Sequence, residues 1–420
     1  MAKLLTLIKG CFLTLVFVLV TFTPDFRFLP HYSWLLALLG LFALRDRKFR
    51  LLVDFNGQIN VGFLKLFSVV LFFNCLIIPL FHGLVDFSYI PLQVGLVLTM
   101  CRCILLVYCL YKYNSGGELI EQYGKYFFLA CCAYVAFTLY FIVDPGFKTF
   151  WLDNVLVEAE DRSVDFAVYE FRYSLNGFAA FSSASIFSFA CLFCCYFIAF
   201  SKKVKLSQIL CLMIMVVGCF FYGRVSLFGM LLGALLIFWM SGGFYKKTRI
   251  FCLIVLFVLA LLAFLNIASK TNDSLLTWQE WAFSFIKQLF IDKEVTDYSA
   301  THMVEDMYYM PKTDTFLFGD GMYTNSNGSY YGHTDAGFMR LLLYGGIICL
   351  GLVYLFMTNL TFRIIRVSKS IVFKRFVLLT IILFFILELK GESYHHAIMM
   401  LYPLFLIQNF NNNISNRHVK

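Results

Sequence analysis

LSQILCLMIMVVGCFFYGRVSLFGMLLGALLIFWM, residues 206–240, decides the fold, because Arg224 is its only charge. A helix of roughly 20 apolar residues crosses a bilayer core of about 30 Å. Two such helices fit here, at 205–222 and 225–241, meeting at Gly223-Arg224. The same pattern recurs outward in both directions.

Further apolar runs lie at 4–23, 29–45, 62–83, 89–111, 125–144, 177–200, 249–268, 337–359, 371–389 and 393–410. Together they predict an all-α polytopic membrane protein of about twelve transmembrane helices, one integral membrane domain over 1–420. Composition agrees: of 420 residues 61% are hydrophobic and only 14% charged, with a mean hydropathy of +0.79. A soluble domain has about 25% charged residues, so an ordinary globular protein and a disordered one are both excluded.

Basic residues orient the helices. With the N-terminus inside, the inner segments hold 22 of the 34 Lys and Arg and the outer segments 11, with Arg102 inside a helix. Clusters at 45–50, 202–205, 246–249, 363–366 and 369–375 fall in short inner loops, where the positive-inside effect acts. Both termini are then cytoplasmic, which needs an even number of helices. The first helix has no small-residue cleavage site and is expected to be retained.

Two outer loops are large, at 145–175 and 269–337. The second carries ten Asp and Glu against four Lys before Arg340. Within it, 275–290 gathers Trp278, Trp281, Phe285 and Leu289 on one helical side, which suits a helix lying on the outer leaflet or a lid. None of the 14 cysteines lies in either loop, so they read as small packing residues in helices rather than a disulfide framework.

No phosphate-cradling Gly-rich motif, HExxH or Cys/His metal spacing is present, so neither a metal nor a cofactor is expected. Charges at outer helix ends remain. Arg172, in YEFRYSLNGFAAFSSAS (169–185), reads as an anion clamp, since guanidinium pairs two-pronged with phosphate; the alternatives are an interfacial anchor or a partner for Glu170. The small residues that follow permit close approach of a helix or a lipid chain.

Arg224 sits where an ionised side chain at depth costs about 3 kcal/mol or more. An anion-binding role is favoured over a snorkelling anchor. In YYGHTDAGFMRLLLYGG (330–346), His333 can exchange a proton near neutral pH and Asp335 can orient it or act alone. Asp335 can equally cap the helix that follows. Arg340 enters that helix, and the Gly-rich, aromatic approach at 319–333 suits stacking on sugars. Arg102 reads either as half of a structural pair or as a contact to a lipid diphosphate.

An Arg before a small-residue helix, a Gly-Arg-Val-Ser turn, and a large outer loop ending FLFGDGMYTNSNGSYYGHTDAGFMRLLLYGGIICLG (316–351) resemble the O-antigen and capsule repeat-unit polymerases. These Wzy-type proteins of Gram-negative inner membranes are related to the O-antigen ligases. The resemblance implies a metal-independent glycosyltransferase of GT-C type, acting on undecaprenyl-diphosphate-linked oligosaccharide at the periplasmic face. It implies Arg172, Arg224 and Arg340 on the diphosphate and His333 or Asp335 as base, and it leaves Arg102 open between a structural pair and a lipid-carrier contact. Expected partners are membrane lipid, a chain-length regulator and a flippase, and no nucleic acid. A ligase that moves glycan to lipid A-core is the runner-up, and a flippase or other transporter is the rival from another class.

Overall fold

The computed structural model describes residues 2–53, 58–113, 117–155, 172–178, 181–201, 204–240, 243, 247, 248, 250, 252, 303–326 and 328–418. All but residues 250 and 252 of the expected span at 249–268, the segment 275–290, and the loop portions 156–171 and 269–302 lie outside them. The chain divides into two units. Unit 1 comprises Met1–Tyr32 with Tyr123–Asp297, and unit 2 comprises Ser33–Gln122 with Tyr298–Lys420.

Unit 1 contains α1 (Ala2–Phe22), α8 (Pro145–Asn154), a hairpin β1 (Tyr173–Ser174) and β2 (Gly177–Phe178), α9 (Phe181–Phe200), α10 (Leu206–Tyr222) and α11 (Leu227–Met240). Most of α7 (Leu119–Val143) belongs to it as well. Unit 2 contains α2 (Tyr32–Ala43) from Ser33 onward, α3 (Arg47–Leu52), α4 (Gln58–Phe72), α5 (Ile78–Phe81) and α6 (Tyr89–Tyr113). Its second segment supplies α12 (Thr313–Phe318), α13 (Gly337–Val367), α14 (Ile371–Glu388) and α15 (Tyr394–His418).

The protein is therefore a helical membrane protein, and six helices among the described residues are long and apolar enough to cross a bilayer. They run over Leu4–Phe22, Val61–Phe81, Tyr89–Tyr113, Leu119–Val143, Phe181–Phe200 and Gly337–Val367. The expected spans at 29–45, 205–222, 225–241, 371–389 and 393–410 are also helical but are not among these six. The run at 29–45 yields only α2, about 18 Å long at 1.5 Å per residue, because Pro30 and a left-handed His31 (φ 59°) precede it. The run at 177–200 starts as a helix only at Phe181, since Gly177 (φ 85°) turns the preceding chain into a hairpin. All 14 cysteines are unbridged.

Small residues set the packing of unit 1. In α9 the side chains from Ser183 to Cys195 are all buried. A Cβ placed on Gly229 would come within 1.9 Å of the Ser188 carbonyl oxygen, and one on Gly233 within 2.6 Å of Cys195 Sγ. Gly229 and Gly233 lie one turn apart on α11, so the two backbones touch along a small-residue stripe. Packing of this kind holds helices together where lipid removes the hydrophobic incentive.

Unit 2 turns on a break that the sequence reading had as continuous helix. Within α13, Gly345 (φ −138°) and Gly346 (φ 68°, ψ −169°) leave helical geometry. The carbonyls stranded by the break accept from a neighbouring segment instead: Asp320 N–H to Leu343 O at 2.7 Å, and Gly321 N–H to Tyr344 O at 3.0 Å. In an apolar medium such substitution is obligatory. Opposite the break, a π turn (Phe73–Ile77) connects α4 to α5 and buries Asn74. Tyr344 donates its hydroxyl to Asn74 O at 2.8 Å.

The two ends of unit 2 differ chemically. One end joins Lys112 to Asp46 at 2.9 Å, and Asn413 to the Leu52 carbonyl at 2.9 Å. The other end gathers residues 82–89, 308–340 and 388–396.

Candidate functional site

In unit 1, Tyr134 on α7 organises the surroundings of both predicted arginines. Ser174 donates to the Tyr134 carbonyl at 3.0 Å, and the Tyr134 hydroxyl meets Ser183 at 2.9 Å and Asn176. Trp151 on α8 donates to the Leu175 carbonyl at 3.0 Å. These bonds hold the hairpin, and Arg172 stands half-buried at its entrance. Lys148 lies over the Tyr173 ring at 4.8 Å, a cation that the sequence reading did not single out.

Arg224 is half-buried at the head of a single 3₁₀ turn between α10 and α11. Ser226 closes that turn, its hydroxyl donating to Cys219 O at 3.2 Å. The last residue of α10, Tyr222, bonds Thr138 at 2.8 Å and meets Tyr134 edge-on at 5.2 Å. A Cβ on Gly223 would lie 3.2 Å from Ala184 in the first turn of α9. Arg172 and Arg224 thus belong to the same end of unit 1.

In unit 2, Arg340 is buried and enclosed by its own motif. Its guanidinium lies 3.9 Å from the centroids of both Tyr323 and Tyr330. Its Nη1 is 3.7 Å from Glu392 Oε2, both side chains being less than a tenth exposed. Tyr323 donates its hydroxyl to the same Glu392 oxygen. The sequence reading assigned Arg340 to an external anion; the anion found beside it is Glu392, in the short turn between α14 and α15. Burial pushes the Glu392 carboxyl above its ordinary range, against the pull of Arg340 and Tyr323.

Asp86 holds the long segment in place. It accepts from Tyr323 N–H at 2.6 Å, from Thr324 N–H at 3.1 Å, and from Ser88. Burial works against its ionisation, but these donors outweigh it and hold the carboxyl below the usual range. Stability from a lowered carboxylate is present above the unfolded value of about 3.9 and disappears as pH falls through the folded value. The clasp therefore persists throughout the neutral range and opens only in strong acid. Asp86→Ala should speed amide exchange at Tyr323 and Thr324 about 10- to 100-fold at pH 7, corresponding to about 1–3 kcal/mol for donors left unsatisfied. Unchanged exchange by mass spectrometry would show that the clasp does not hold this segment.

His333 is exposed and left-handed (φ 55°), at the end of a 3₁₀ turn. Asp335 is half-buried and does not cap α13. The helix begins one residue later than that expectation required, with Ala336 in the capping position; Thr334 Oγ1 receives the Ala336 N–H at 3.2 Å. Arg102 lies half-buried within α6 and donates to Thr99 Oγ1 at 2.7 Å.

Near Arg340 the structure adds Glu388, which is buried and accepts from the Ser393 N–H at 2.6 Å and hydroxyl at 3.0 Å. A Cβ on Gly337 would come 2.5 Å from Glu388 Oε2, so this carboxylate lies beside the N-terminus of α13. Among the buried polar atoms at this end with no hydrogen-bond partner are Asp335 Oδ1, Arg340 Nε, Glu388 Oε2 and Glu392 Oε1. Asp86, Tyr323, Glu388 and Glu392 escaped the sequence reading. The available signal was LELKGESY (387–394), where Glu388 ends one apolar helix and Glu392 lies in the five-residue turn before the next. No protein-family model matches the chain, and neither does any curated protein.

Proposed function

We propose that the protein is a membrane glycosyltransferase that joins lipid-diphosphate-linked oligosaccharide units, in the manner of the repeat-unit polymerases its motifs resemble. The observation that carries this reading is the polar cluster around Arg340. There Arg340, Tyr323 and Tyr330 of the 316–351 motif gather about a buried Arg–Glu pair, with polar atoms left unused. Carboxylates and aromatic rings together suit a polyhydroxylated ligand, through hydroxyl hydrogen bonds and stacking.

In this reading the donor is a sugar on undecaprenyl diphosphate, and the leaving group is the diphosphate. Arg172 and Arg224 of unit 1 hold that charge, which grows as the bond breaks. The acceptor is a hydroxyl of a second lipid-linked unit, and a general base takes its proton. Within unit 2, Arg340 and Tyr323 orient the Glu392 carboxylate. Twelve helices with both termini in the cytoplasm would put these residues at the periplasmic side of the inner membrane. The basic asymmetry supports that orientation, and so does the gathering of Asp46, Leu52, Lys112 and Asn413 at the opposite end of unit 2. Membrane lipid, a chain-length regulator and a flippase are the partners this role calls for.

One observation favours a second reading. Broken helices buried at membrane depth are the hallmark of secondary transporters, and α13 opposite the π turn after α4 has that character. A single assay separates the possibilities. Purified protein in detergent, where there are no compartments, is mixed with undecaprenyl-diphosphate-linked repeat units. Products two or more units long are expected, and a transporter would make none. Deletion of the gene should leave single repeat units on the cell surface; a surface bare of glycan would indicate a ligase instead.

A further inference from the structure

Glu392 differs from an ordinary ion-pair partner in how its two oxygens are used. Arginine and a carboxylate ordinarily bind through two parallel bonds. Here Arg340 approaches only Oε2, at 3.7 Å, and its Nε stays unused. Two tyrosine rings at 3.9 Å hold the guanidinium from its faces. The carboxylate is thereby oriented through Oε2 by Arg340 and Tyr323, while Oε1 remains buried with no protein partner. An orphaned buried acceptor is costly to the fold, and a site recovers that cost when a ligand hydroxyl donates to it. His333 lacks this preparation: it is exposed on a loop, with nothing in the described contacts holding its ring.

We propose that Glu392 Oε1 is the proton acceptor of the transfer reaction. The acceptor hydroxyl gives its proton to Oε1 as its oxygen bonds to the anomeric carbon of the donor sugar. The bond from that carbon to the diphosphate oxygen breaks, and its electron pair leaves with the diphosphate. This assignment rests on the glycosyl-transfer reading above. It supplies that reading with a base which is buried and oriented, as general-base catalysis requires. The upward push on the Glu392 carboxyl moves its titration towards the neutral range, where a base works best.

Groups of several elements face Glu392. From α13 come Arg340, Cys349 and Tyr354; from α6, Tyr89; from the long segment, Tyr323. Glu388 at the end of α14 and Tyr394 at the start of α15 complete them. Only Arg340 among these carries positive charge. Tyr323 stabilises the ionised form by donating to it, so its removal raises the pH at which Glu392 protonates.

The test is the pH profile of polymerisation by the purified full chain, with repeat units extracted on their own carrier from a polymerase-lacking strain. Glu392→Gln should lose about 10²–10⁴ in rate while still binding the lipid diphosphate. Tyr323→Phe keeps the carboxylate, and the acid limb of its kcat/KM profile should move to higher pH. An acid limb unmoved in Tyr323→Phe but abolished in His333→Gln would give the role to His333 and overturn the proposal. Wild-type rates in Glu392→Gln would overturn it alone. Absence of product from the wild type would overturn the glycosyl-transfer reading and the proposal together.

Discussion

On the glycosyl-transfer proposal, Arg224→Lys is expected to lower polymer synthesis about 10²–10³-fold at a normal level of protein in the membrane, and Arg224→Ala at least as far. A donor placed where negative charge develops contributes about this much to a transition state. Lysine keeps the charge but offers a point rather than a planar fork, so the two-pronged hold on phosphate oxygens is lost. The turn itself provides the control. Ser226 ties it through a bond from its hydroxyl to Cys219 O at 3.2 Å, so Ser226→Ala loosens the turn but spares the guanidinium. Most activity should survive that change. Equal activity of Arg224→Ala and wild type, measured on lipid-linked repeat units, would remove Arg224 from the mechanism.

Gly346→Val is expected to destabilise the protein by about 2–6 kcal/mol, from two sources of similar size. With φ 68° and ψ −169°, the position lies in a backbone region essentially closed to other residues, at a cost of about 1–3 kcal/mol. A Cβ there would also lie 2.2 Å from Leu317 O and 2.6 Å from Phe318 N. Those are backbone atoms of the segment that fills the break and cannot swing aside, so overpacking adds about 1–3 kcal/mol more. Against a typical total stability of 5–15 kcal/mol, that is enough to remove much of the protein from the membrane. Gly351→Ala, further along the same helix, has nothing within 4 Å of the added carbon. It should hold or slightly raise the melting temperature, because alanine favours helix over glycine. Equal melting temperatures for the two variants in detergent would show that the break does not need glycine.

The helical membrane class was legible because it depends on local composition: apolar runs of membrane length have few other solutions. The turn at Gly223-Arg224 was legible for the same reason, as one charge in a run of apolar residues must reach a helix end. Arg340 was legible as a cation at the start of an apolar helix, but its neighbour was not. Glu392 lies 52 residues further on, and nothing in a sequence says which of several carboxylates a given arginine meets. Glu388, Asp86 and Tyr323 were hidden likewise, since each acts through a contact between segments far apart in the chain.

The break in α13 shows the division most clearly. Gly345 and Gly346 could be read as small residues for close helix packing as readily as an interruption. What makes them an interruption is the segment at 319–321, whose amide hydrogens reach the Leu343 and Tyr344 carbonyls. Sequence by itself determined that the chain is built of apolar helices and that a few arginines stand where charge is costly, because both follow from transfer energies of single residues. Tertiary structure alone decided that Arg340 faces Glu392 between two tyrosine rings, and that α13 breaks where it does. Hydrogen bonds and ion pairs need both partners, and only the folded chain brings the second one within reach.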